Sequence, residues 1–217
     1  MTETSAGLVL RTRLLTETSL IVHWLTPGLG RLATVAKGAR RPKSPFRGKL
    51  DLFYLADFSF RRSRQSDLHT LSEVALRETH GALRLDLHRL RQASYCAALV
   101  EQTTETETPV PAIFDLMRGL LDYLSARPAA PRVVFAFELK LLRELGQMPD
   151  LYQTRLKPET GRLIEELTTA DWAQLESLRP AASQVTELRQ FLHGFLIYHL
   201  DRMPKGREAA VGLRGNE

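Results

Sequence analysis

The residue pattern predicts an α+β multidomain chain, a small five-stranded β-barrel followed by an α-helical bundle. Three observations carry this. Residues 7–77 fall into short apolar or alternating runs separated by turn residues. From about residue 80 the apolar spacing becomes helical. Positive charge gathers in the first part, where residues 1–80 hold 13 basic and 7 acidic side chains, against 17 and 18 in residues 81–217.

The strands come first. Gly7–Leu15 alternates loosely, and Ser19–Leu25 is a β-rich run with Leu20, Ile21, Val22 and Trp24. Pro27-Gly28-Leu29-Gly30 is a turn, and Arg31–Lys37 returns from it as the third strand. Leu50–Phe60 begins with alternation and supplies a fourth strand, Asp67–Leu76 a fifth. Closing these strands into a barrel removes the exposed edges that an open sheet would leave.

The helices follow. Leu83, Leu87, Leu90, Ala97 and Val100 share one helical face. Pro109 and Pro111 open a second helix carrying Ile113, Leu116, Met117, Leu120, Leu121 and Leu124. Pro128 and Pro131 separate it from Arg132–Leu145, which Gly146 and Pro149 end. Residues 150–167 show no clear period and are expected to be loop, with a hairpin at Glu159-Thr160-Gly161. Thr169 is expected to cap a short helix over Asp171–Leu178. Leu188, Phe191, Leu192, Phe195, Leu196 and His199 mark the last strong helix, and the tail from Pro204 is expected to fray. The boundary falls near Glu78–Gly81, giving domains 1–79 and 80–217.

Enzyme signatures fail one by one. Gly48-Lys49 lacks the glycine of a phosphate loop, because Lys43 stands there, and Leu50 replaces the Ser or Thr. Gly28-Leu29-Gly30 lacks the third glycine of a dinucleotide fingerprint. There is no G-x-S-x-G or H-E-x-x-H, and His193 and His199 do not share a helix face. The single cysteine, Cys96, reads as a buried apolar group and cannot build a disulfide or a cysteine zinc site. No catalytic residue, cofactor or metal is expected. The N-terminus lacks the regions of a signal peptide and no apolar run suits a membrane span, so a soluble cytosolic protein is expected.

The positive signal is Arg31–Lys49. It holds Arg31, Lys37, Arg40, Arg41, Lys43, Arg47 and Lys49, and no acid. Prolines and glycines keep it out of helix and central strand. A second cluster follows at Arg61, Arg62 and Arg64. Charge runs are usually solvated surface, but cations without interleaved acids repel one another until a polyanion lies across them. A small barrel with basic loops and nearby rings suits nucleic acid, with Phe46 as the candidate for stacking on bases. An alternative is a helical interaction scaffold that takes acidic partner tails through Arg132, Lys140 and Arg143, with only non-specific DNA affinity. An enzyme without a recognisable motif is the third reading.

Particular residues also resemble a known family. Glu17-Thr18-Ser19-Leu20-Ile21-Val22, Gly30-Arg31-Leu32, the run Val35–Ser44 and Phe46-Arg47-Gly48 are similar in order and spacing to the N-terminal half of the bacterial recombination mediator family RecO. Phe137–Leu142, Leu145-Gly146, Pro149–Leu151 and Leu200–Glu208 resemble its later parts more weakly. The resemblance implies an N-terminal OB-fold and a helical C-terminal domain. It implies single- and double-stranded DNA binding, strand annealing and a cytoplasmic, nucleoid-associated location. It also implies the partners RecR, the C-terminal tail of single-strand-binding protein (SSB) and, indirectly, RecA. Many members carry a four-cysteine zinc site after the helix exit. The matching stretch here, Asp150–Ile164, has no cysteine, so the resemblance does not extend to zinc.

Overall fold

Alternation in the N-terminal part builds β1 (Thr2–Leu14), β2 (Leu20–Thr26), β3 (Gly30–Ala36), β4 (Leu55–Arg61) and β5 (Leu68–Glu78). The computed structural model describes residues 2–200 and 202–212. The strands close into a barrel in the order β1-β2-β3-β5-β4. β3 and β5 are parallel and every other pair is antiparallel. This is OB topology, as the resemblance implies.

Inward positions alternate as the pleat requires. Val22 and Trp24 of β2, Leu32 and Ala36 of β3, and Phe58 and Phe60 of β4 share one core. The indole of Trp24 donates to the Thr34 hydroxyl at 2.9 Å, so the buried N–H is satisfied. β1 starts well before Gly7 because its polar opening pairs with β4, from Thr2 against Arg61 to Leu8 against Leu55. The β4 strand is shorter than expected. Leu50–Tyr54 turns instead, with Phe53 in the left-handed region at φ 64° and its N–H bonded to the Val9 carbonyl.

The helices are α1 (Leu87–Thr103), α2 (Pro111–Ala126), α3 (Pro131–Glu144), α4 (Pro158–Thr169), α5 (Ala182–Leu200) and α6 (Arg207–Val211). The chain divides into two compact units, the first eighty residues with Thr104–Arg118, and Gly81–Thr103 with the chain from Gly119 on. In the barrel unit, residues 104–108 lie along β3. Thr106 bridges to Arg31, and the Glu107 N–H bonds the Arg31 carbonyl at 2.8 Å. Gly30 allows this approach, since a β-carbon there would lie 1.9 Å from the Thr108 oxygen.

In the second unit α3 is central, with Val133–Leu142 buried without a break. Three expectations fail here. Residues 158–169 form a helix, α4, where loop was expected. The expected helix over Asp171–Leu178 is only a 3-10 turn at Gln174–Glu176, and Thr169 belongs to the end of α4. Residues 204–212 do not fray, since Pro204, Arg207, Ala210 and Val211 are buried, and the rest of the expected tail lies outside the described residues. Arg207 reaches Glu138 of α3 through paired bonds of 2.7 and 3.0 Å, and the Tyr95 hydroxyl donates to the same carboxylate at 2.6 Å. That network ties α6 to α3.

Candidate nucleic-acid interface

The basic loop after β3 is a run of tight turns. Backbone N–H groups of Arg41, Ser44, Arg47 and Lys49 donate to the carbonyls of Gly38, Arg41, Ser44 and Phe46, at 3.0–3.2 Å. Its start is tied to the β1–β2 turn. The Arg40 N–H donates to the Thr18 carbonyl at 3.0 Å, and the Gly38 N–H to the Ser19 hydroxyl at 3.2 Å. Phe46 plugs the loop into the barrel core and is 6 % exposed. Phe46 is therefore corrected from a stacking ring to an anchor, because a barrel this small needs its bulk inside.

With the loop pinned, its cations point outward. Lys37, Arg40, Arg41, Lys43 and Arg47 are exposed. Among the described residues, Arg40 and Arg47 donate only to the neutral carbonyls of Glu17 and Pro42. Lys49 is half-buried and donates to the Val74 carbonyl at 3.3 Å. A groove of about 310 Å³ runs beside Arg40, Arg41 and Arg47, and a second of about 420 Å³ beside Lys37 and Arg41. No acid lines either groove.

Two predicted residues are engaged within the protein. Arg31 donates from Nε to the Thr104 hydroxyl at 2.8 Å. Arg62 pairs with Glu3 at 2.8 Å and Glu107 at 2.6 Å, and its hydrogen bond holds the Glu3 carboxyl below the usual range. The second oxygen of Glu107 meets His69 Nε2 at 2.6 Å. Arg61 and Arg64 remain exposed.

The tryptophan and phenylalanine rings of the barrel face inward. Trp24 stacks on Phe58 at 4.2 Å, Phe58 on Phe60, and Phe60 on His69. The large exposed rings among the described residues, Tyr152 and Tyr198, belong to the helical unit.

Sequence reasoning missed Arg11, Arg13 and His23 on the outer face of β1 and β2. Arg11 lies opposite His23 and Arg13 opposite Ile21. The two arginines alternate on β1, which was a visible signal, but they lie far in sequence from the basic loop. Burial, and then the charges of Arg11, Arg13 and Arg31, push the His23 imidazole down to about 4.

In the helical unit, Arg132, Lys140 and Arg143 do not form one site. Lys140 is 7 % exposed, and its ammonium donates to the Thr168 and Ala170 carbonyls at 2.9 and 2.5 Å. Arg143 joins it on Thr168 at 3.0 Å. Both cations thus cap the C-terminus of α4. Arg132 lies eight residues before Lys140 and eleven before Arg143 on α3, about 12 and 16 Å along its axis. Lys140 is corrected from a solvent-facing cation to a structural one. Lys140→Ala should cost about 1–3 kcal/mol in urea unfolding, since the half-buried Ala170 carbonyl loses its ammonium donor and the buried Thr168 carbonyl keeps only Arg143. An unchanged midpoint would show that water replaces the ammonium freely.

An OB barrel with a pinned, acid-free basic loop, followed by a helical unit, defines the class: an OB-fold protein with a helical extension. Residues 1–80 match the family model described as recombination protein O N terminal, and residues 84–154 the model for recombination protein O C terminal. The DNA repair protein RecO of Rhodopirellula baltica is 31 % identical over 200 residues, covering 82 % of this chain and 74 % of that protein. RecO of Anaeromyxobacter sp. strain K is 37 % identical over 145 residues, 67 % of this chain and 57 % of its own length. RecO of Bacillus pumilus is 32 % identical over 149 residues, 69 % and 57 % respectively. The chain belongs to the RecO family, and its role lies in DNA repair and recombination. No helix among the described residues is long and apolar enough to cross a membrane.

Proposed function

We propose that this chain holds DNA by its phosphates and anneals complementary strands, with no catalytic step, cofactor or metal. One observation carries the reading. The loop cations are displayed on a rigid support while the rings of Trp24, Phe46, Phe53, Phe58 and Phe60 are buried and Tyr54 is half-buried against them. Such a surface grips the backbone and leaves the bases unstacked by protein, so they stay available to pair. Two polyanions repel each other, and cations between them lower that barrier. In the cytoplasm, together with RecR and the SSB tail, this activity helps load recombinase onto SSB-coated single strands. The family membership supports those partners.

The test is annealing of naked complementary oligonucleotides by the full chain at low salt. Failure to accelerate it would overturn the reading. With about six phosphates neutralised, log affinity for a single strand should fall against log salt with a slope of about −4. Replacing Arg40, Arg41 and Lys43 by Ala should bring the slope to about −2 and weaken all sequences alike, since phosphate contacts carry no sequence information. A sequence-dependent loss would show base readout instead.

A further inference from the structure

The outer face of β1 and β2 carries cations that the basic loop does not account for. Cross-strand register places Arg11, His23 and Ala33 in one row, and Arg13, Ile21 and Val35 in the next. Val35 lies two residues before Lys37, where the basic loop begins. Two strand spacings put Arg13 about 10 Å from Val35, so the two surfaces are continuous. Arg13 is exposed, and no hydrogen bond or ion pair is made by its side chain among the described residues. His23 lies partly buried between the arginines, and its Nε2 makes no hydrogen bond among the described residues. The charges acting on it are Arg11 and Arg13 from β1 and Arg31 from β3, with no carboxylate among them.

We propose that Arg11 and Arg13 form a second phosphate seat, for the backbone of a strand running on from the basic loop, and that a phosphate seated there places a proton on His23. This rests on the DNA-binding reading above. In the free chain, burial and three like charges keep the imidazole neutral. A phosphate offsets the arginine charge and adds its own attraction for an imidazolium, so the affinity of His23 for a proton rises. Linkage then requires the reverse, that protonation favours the phosphate. The sign is fixed: affinity increases as pH falls through the ordinary histidine range, and one strand binds with uptake of up to one proton.

The experiment is anisotropy titration of a labelled oligonucleotide at fixed salt and at pH 5.5 and 7.5. It compares the wild-type chain, Arg13→Ala, His23→Gln and the triple variant of Arg40, Arg41 and Lys43. Calorimetry in two buffers of different ionisation enthalpy counts the protons. The wild type should bind about threefold to tenfold tighter at pH 5.5, as a shift from about 4 toward the ordinary 6.5 requires. His23→Gln should lose the part of that gain due to proton uptake. Arg13→Ala should make the salt slope shallower by about 0.7, one phosphate's worth. Equal proton uptake by the wild type and His23→Gln, with an unchanged slope for Arg13→Ala, would overturn the seat. If the triple variant is weakened at the same time, the loop reading survives that failure. If the triple variant binds like the wild type, the loop reading fails on its own.

Discussion

Glu138→Ala is expected to destabilise the helical unit by about 3–5 kcal/mol, the cost of stranding a buried charge. Glu138 is wholly buried and Arg207 is 2 % exposed. Two guanidinium bonds and the Tyr95 hydroxyl converge on the carboxylate. Without it, Arg207 keeps its charge in an apolar setting, where its bond to the neutral Arg189 carbonyl at 3.3 Å does not offset that charge. The Tyr95 phenol, pushed up by burial and then by the Glu138 charge, loses an acceptor as well. The same substitution should release α6 from α3, so protease cleavage near Lys205 should quicken. Replacing Glu138 and Arg207 together by Met should cost much less than either single change, because neither charge is then left alone. Urea unfolding of the three variants checks this. A Glu138→Ala midpoint equal to that of the wild type would mean that water reaches Arg207.

This network explains why the end of the chain misleads. Gly206, Gly212 and the surrounding charges read as a loose tail, and nothing near Arg207 in sequence points to a carboxylate 69 residues away. The failure at α4 has a different cause. Its buried positions Thr160, Leu163, Ile164, Leu167 and Thr168 have clear helical spacing. Two of the five are threonines, so an apolar count misses the period. Their hydroxyls are satisfied locally, Thr168 by the Ile164 carbonyl at 2.6 Å and Thr160 by Glu187. Pro158 at the first turn was the available start signal. The barrel was legible because alternation and turn residues are local. The charge of the interface was legible for the same reason. Which cations are spent inside the protein was not, since Glu3 and Glu107 reach Arg62 only through the fold.

Phe46→Ala is expected to cost about 3–5 kcal/mol in barrel stability, the usual range for emptying a buried aromatic site. It should also weaken DNA binding although no charge is removed. The ring belongs to the buried cluster that holds Val9, Trp24, Phe58 and Phe60, and anchors a loop whose other contacts are chiefly single turn bonds. Without the anchor, Arg40, Arg41, Lys43 and Arg47 sample many arrangements, and ordering them on a strand costs entropy that the wild type has already lost on folding. The salt slope should stay near the wild-type value, because the phosphates neutralised are the same. Phe46→Leu should recover most of both losses by filling the site. A base-stacking role gives the opposite signature: Ala would weaken binding at unchanged stability, and Leu would not rescue it. Paired urea unfolding and oligonucleotide titration of the two variants separate the cases. The ring within the basic loop thus serves the interface by fixing the loop from inside the barrel, leaving the phosphate contacts to the cations around it.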